Sequence, residues 1–243
     1  MRNTTMTGLG RLFGAATLVL FLGARPLAGQ VGHPPAKSPY HDILHGSSWS
    51  FIYGNLSGDG GKLGIGPHNG PTYGMRYDFR MSNLIQAGLS ASYMDLERLI
   101  VDADDTPATR VKGPVAQSVV TIEVALQLNL TGAKTWHRLQ PFITGGLGYA
   151  LSSTTKADTS GFKFGNRFSI SPGLGMRFFP SSRVNLRVEA RQHFWKLKYP
   201  TAFQDEPADV VGGIDNSDAV ITDKKLNEWA SGWWIMGGIG FSF

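Results

Sequence analysis

The chain has no cysteine. That absence removes disulfides, thiol nucleophiles, thiolate metal sites and anchoring through a lipidated cysteine in one step. Charge is sparse too, at 17% of the 243 residues. No block of Lys or Arg stands out as a footprint for nucleic acid. No apolar run reaches the ~20 residues that a membrane-spanning helix needs. The 31 glycines follow no collagen period. The glycine-rich segment 56–71 lacks the Gly-Lys-Ser/Thr ending and the strand-to-helix context of a phosphate-binding loop. What is left is a glycine-rich chain whose apolar residues alternate.

The start of the chain reads as an export address. Arg2 and Arg11 come with no acid, a short apolar run (LFGAATLVLFLGA, 12–24) follows, and Arg25-Pro26-Leu27-Ala28-Gly29-Gln30 closes the segment. This is the layout of a signal peptide cut near residues 28–30. Residues 1–29 are expected to be removed, and 30–46, with Pro34, Pro35 and Pro39, to form an extended periplasmic lead-in. Residues 47–243 are expected to form the folded domain. Arg2, Arg11 and Arg25 carry three of the formal +5 charges, so the remainder holds about +2. This leaves little basic surface for a nucleic acid.

From residue 47 the dominant period is two, the period of a strand. Strands are predicted at about 47–55, 72–80, 84–94, 120–130, 139–151, 168–178, 183–194 and 229–243. The fourth is the cleanest: Val120, Ile122, Val124, Leu126, Leu128 and Leu130 alternate with Thr121, Glu123, Ala125, Gln127 and Asn129. The eighth sets Trp233, Ile235, Gly237, Ile239, Phe241 and Phe243 against Trp234, Met236, Gly238, Gly240 and Ser242. Short connections near 80–84, 131–138 and 179–183 alternate with long ones near 56–71, 95–116, 152–166 and 196–228. An even strand count with that alternation predicts an all-β fold: an eight-stranded antiparallel transmembrane β-barrel with short periplasmic turns and long extracellular loops. The rival is a soluble lipocalin-like carrier, with its apolar face inward around a ligand.

In the membrane reading the polar faces point into the lumen. Arg76, Asp78 and Arg80 project together, Glu123 projects from the fourth strand, and Arg187, Glu189 and Arg191 project from the seventh. In a narrow interior such charges must be paired, so they are expected to be structural ties. Eight strands leave room for side chains only, so no wide pore is expected. His193 shares a face with Glu189 and Arg191, but no serine stands in a partnered position, so no catalytic set is expected. His41, Asp42 and His45 sit together without a helix to aim them, and no metal or cofactor is expected there. Asp95, Glu97, Asp102, Asp104 and Asp105 fall in one long connection. Asp205, Glu206, Asp209, Asp215, Asp218 and Asp223 fall in another. Both read as solvated outer surface, and neither matches a calcium loop of fixed register.

The run Leu139-Gln-Pro-Phe-Ile-Thr-Gly-Gly-Leu-Gly-Tyr149, the segments Ser171-Pro-Gly-Leu-Gly-Met-Arg-Phe178 and Val184-Asn-Leu-Arg-Val-Glu-Ala-Arg191, and the closing Gly-Phe-Ser-Phe243 resemble the small eight-stranded outer-membrane barrels of the OmpA/OmpX type. The resemblance implies a bacterial outer-membrane location and contact with outer-membrane lipids and lipopolysaccharide. It also implies recognition of Phe241 and Phe243 by the barrel-assembly machinery. Such families include structural, adhesive and protective members and a few lipid-modifying enzymes, so architecture alone assigns no activity. The expectation is a monomeric, non-enzymatic barrel, structural or meeting an extracellular partner through its long loops. A lipid-modifying enzyme is the alternative.

Overall fold

A computed structural model describes residues 38–152, 158, 160–205, 219–222 and 225–243. The expected signal peptide, the first part of the lead-in and the acids Glu206, Asp209, Asp215, Asp218 and Asp223 lie outside the described residues. The folded unit is Pro39–Phe243. Its strands are β1 (Tyr40–Asp42), β2 (Ser47–Gly58), β3 (Gly70–Arg80), β4 (Ile85–Val101), β5 (Val111–Asn129), β6 (Lys134–Trp136), β7 (Leu139–Leu151), β8 (Arg167–Phe178), β9 (Val184–Lys198) and β10 (Asn227–Ser242).

Eight of these form a ring. β2, β3, β4, β5, β7, β8, β9 and β10 each pair with the next in the chain, and β10 returns to β2 from Ser242↔Ser48 to Gly232↔Gly58. All wall pairings are antiparallel. A closed ring leaves no open sheet edge, the condition for a strand wall in lipid. β1 and β6 stand apart as a small ribbon at the short-turn end, with Tyr40 opposite Trp136. From sequence alone these two segments read as lead-in and turn. Their pairing satisfies backbone groups that a bare turn would leave to water.

The faces decide what solvates the wall. Val124 and Leu126 are each 57% exposed on the outside, while Glu123 on the inner face of the same strand is 3% exposed. Phe51, Leu89, Leu147, Leu174, Val188 and Ile235 are exposed in the same way. Water does not tolerate so continuous an apolar surface, whereas lipid does. The lipocalin-like arrangement is therefore overturned, because the charged face is the inner one. Aromatic pairs mark both ends of the band: Trp49–Tyr77, with ring centroids 4.9 Å apart, toward the short turns, and Tyr53–Tyr73 at 5.3 Å toward the loops. Such girdles sit where lipid meets water.

Beyond the band the pattern inverts. On β4 the inward residues become apolar, with Met94 and Leu96 buried, while Asp95 and Glu97 turn outward. On β9 the inward Arg187, Glu189, Arg191 and His193 give way to Trp195 and Leu197, while Lys196 and Lys198 are exposed. Loop side chains cover this upper end. Ile65, Phe162, Phe164 and Phe203 join Trp195, Leu197 and Trp234 in one buried cluster. The two acid-rich connections read from sequence as solvated outer surface. The described parts of the long loops instead form an apolar cap, because aromatic residues there have an open barrel mouth to fill. The strands β4 and β5 accordingly run past the predicted bounds, and Asp95 and Glu97 belong to β4 rather than to a loop.

Candidate functional site

Six lumen side chains form one row of alternating charge. Arg76 Nε donates to Asp78 Oδ1 at 2.7 Å, and Arg187 Nη1 lies 3.6 Å from Asp78 Oδ2. Arg187 Nε donates to Glu189 Oε2 at 2.6 Å and Arg191 Nε to Glu189 Oε1 at 2.5 Å. Arg191 Nη1 then donates to Glu123 Oε1, whose other carboxylate oxygen accepts from Ser171 Oγ. Three arginines thus face three carboxylates, all nearly without solvent. Glu123 and Arg191 are far apart in sequence and sit on strands that are not neighbours, so their pair crosses the lumen.

The wall makes room for this row. A Cβ at Gly146 would collide with the Glu123 carboxyl, and one at Gly88 would collide with the Arg76 guanidinium. A side chain at either position would have to push the charged groups of the row aside, and glycine lets them approach the wall closely. The Arg187 guanidinium also lies 4.4 Å from the Phe142 ring centroid, a cation–π contact.

Arg80 is different from its sequence neighbours. Its Nη2 donates to the carbonyls of Ile43 and His45, both at 2.8 Å, so it ties the lead-in to the short-turn mouth rather than joining the ion-pair row. Position explains the difference: Arg80 is the last residue of β3, where the lumen opens. Arg177 on β8 is an additional buried cation. Its Nη2 donates to Gln86 Oε1 and Gln140 Oε1, each at 2.5 Å. Its place on the Ser169/Ser171 face was readable from the alternation; its amide cage, drawn from three strands, was not.

Two further ties fasten the cap. Arg98 donates from Nε to Gln117 Oε1 at 3.0 Å and from Nη2 to Asp158. Burial raises the Asp158 carboxyl, but hydrogen bonds from Ser160 and Arg98 outweigh it and hold the group below the ordinary carboxylate value. Tyr199 donates its hydroxyl to Glu228, which also accepts from the Lys62 backbone N–H at 2.7 Å. Burial first, and that bond second, push the Tyr199 phenol up.

The remaining candidates separate cleanly. His193 is buried between Trp195 and Trp234, with ring centroids at 4.9 and 5.7 Å, and neither ring nitrogen has a hydrogen-bond partner among the described residues. His41 and Asp42 lie in the β1 ribbon and His45 in the coil after it. No group of three or more potential metal ligands occurs among the described residues. Phe241 and Phe243 are both exposed on the outer face at the short-turn end, and Phe243 lies 6.5 Å from the Tyr77 ring.

No family model matches the chain, and no curated protein matches it. Among solved structures it is similar to Neisserial surface protein A, at 10% identity over 85% of this chain and 98% of that one, with a TM-score of 0.48. It is similar to the outer membrane protein OprG from Pseudomonas aeruginosa, at 13% identity over 85% and 99%, with a TM-score of 0.48. It is also similar to the outer membrane enzyme PagL, at 14% identity over 79% and 97%, with a TM-score of 0.41. These are small outer-membrane β-barrel proteins, and at such identities the likeness is one of fold alone.

Proposed function

We propose that this is a non-enzymatic barrel of the bacterial outer membrane that serves the cell through the surface its long loops present. The observation that carries this reading is the inside-out wall around a filled lumen. An apolar exterior demands lipid, and a row of paired charges leaves no path for solute. Backbone closure gives a spanning ring that needs no partner strand, which is compatible with the monomer proposed here. Outer-membrane lipids and lipopolysaccharide would contact the band, and an extracellular partner would meet the loops. The barrel-assembly machinery would read Phe241 and Phe243 during insertion.

Chemistry in the wall supports a non-enzymatic role. A hydrolase or acyltransferase needs a nucleophile hydrogen-bonded to a base that is itself oriented. His193, the histidine of the wall, is enclosed by two tryptophans and bonds to nothing among the described residues. Lipid A from cells with and without the protein is therefore expected to give the same mass spectrum. A protein-dependent change in acyl-chain number, lost in His193→Ala, would replace this reading with that of a lipid-modifying enzyme.

A further inference from the structure

Below the ion-pair row, at the short-turn end, the lumen keeps a cavity of about 10 Å³. That volume has the scale of a single water-sized occupant. Arg80 and Arg177 both line it, with Ser48, Gln86, Gln140 and Ser242, and no carboxylate does. The six charges of the row balance among themselves, so the charge of Arg177 has no counterpart there. Neither Arg80 nor Arg177 pairs with a carboxylate among the described residues.

Two of the side chains that line this cavity also carry a donor without a partner among the described residues. Arg177 is 5% exposed and its Nε has no hydrogen-bond partner; Ser48 is 3% exposed and its Oγ has none. The partners that Arg177 does have are neutral. Gln86 and Gln140 accept at 2.5 Å, Asn129 Oδ1 at 3.3 Å, and the guanidinium lies 5.6 Å from the Phe179 ring centroid. A buried guanidinium without an opposite charge is costly, and amide dipoles offset that cost only in part. A water would satisfy the Ser48 hydroxyl but would leave the charge. A metal cation has the wrong sign. A sulfate-sized anion is too large for the space.

The geometry points to a binding site for one small monovalent anion of chloride size, held by Arg177 and Arg80 with the Ser48 hydroxyl. Bound there, the anion neutralises the short-turn end of the lumen. Its effect reaches the central row through amides, because Gln127 donates to Gln86 Oε1 at 3.3 Å and accepts from Arg187 Nη2 at 2.8 Å. The anion would thus be a structural ion of the barrel, set beside the lead-in carbonyls that Arg80 holds.

The test uses the full mature chain in lipid nanodiscs. Unfolding by denaturant is followed in sodium chloride and in sodium gluconate at one ionic strength, since gluconate is too large to enter. With a Kd of about 10 mM, raising chloride from about 1 to about 100 mM slows unfolding about tenfold by mass action. Arg177→Met is expected to abolish that dependence. Should Arg177→Met fail to fold, Ser48→Ala, which removes only the hydroxyl, is expected to reduce it. Crystals grown in sodium bromide are expected to show an anomalous peak in the cavity. Equal unfolding rates in the two salts, with water alone in the cavity, would overturn the assignment. So would a chloride effect of unchanged size in both variants.

Discussion

Glu189→Gln is expected to destabilise the barrel by about 3–5 kcal/mol, the usual cost of removing one partner from a buried ion pair. Glu189 accepts from Arg187 Nε at 2.6 Å and from Arg191 Nε at 2.5 Å, and its side chain is fully shielded from solvent. The variant keeps the shape but leaves two guanidinium groups facing a neutral amide. Of the carboxylates, Arg187 then retains only the longer approach to Asp78 at 3.6 Å, and Arg191 retains Glu123. Denaturant unfolding in detergent or lipid measures the loss. The pair of Asp42 with Lys134, at 3.8 Å and with both side chains exposed, supplies the control. Asp42→Asn is expected to change stability by about 0–1 kcal/mol, since solvent screens such pairs. Equal effects of the two substitutions would mean that water reaches the lumen row.

Val124→Arg is expected to cost about 2–4 kcal/mol in a bilayer. Val124 stands outward near the middle of the apolar band, opposite Leu89 on one side and Leu147 on the other. An arginine there has apolar cross-strand neighbours in place of an acid and must snorkel past them. Ala116→Arg, farther up the same strand and beside Glu97, is expected to cost about 0–1 kcal/mol, because depth sets the penalty. Reversible unfolding from lipid vesicles compares the two. A wall solvated by water would tolerate both equally.

The fold was legible where polarity alternated with a constant phase. Residues 120–130 show this best: every second side chain is apolar, the structure turns that set outward, and Glu123 goes inside. The short-and-long rhythm of the connections then fixed the up-and-down order of the ring. Strand tops were not legible, because the phase inverts where lipid ends. Asp95 and Glu97 look like loop residues until Leu96 is seen buried in the same cluster as Ile65. A strand predicted from apolar-out alternation stops at Met94 for that reason.

Pairing inside the lumen was legible only by half. Alternation told which residues share the interior, but the partner of Glu123 depends on how far the strands stagger around the ring. Arg191 reaches it across the barrel, and nothing in the spacing of either strand announces that contact. Arg80 shows the same limit from the other side. Parity placed it with Arg76 and Asp78, yet its strand ends there, and the nearest acceptors are the carbonyls of Ile43 and His45. The anchoring of the lead-in was equally hidden, since β1 and β6 are three-residue strands with no periodicity to read.

The central claim is that lipid meets the apolar face and the polar face is sealed inside. In a chain without cysteine it can be tested by single substitutions at 124, 125 and 126, each carrying a fluorescent label, in vesicles containing a lipid-bound quencher. Val124 and Leu126 are 57% exposed and Ala125 is 1% exposed. Quenching is therefore expected to run strong, weak, strong along the three positions. Uniform quenching, or a weak, strong, weak pattern, would contradict the account.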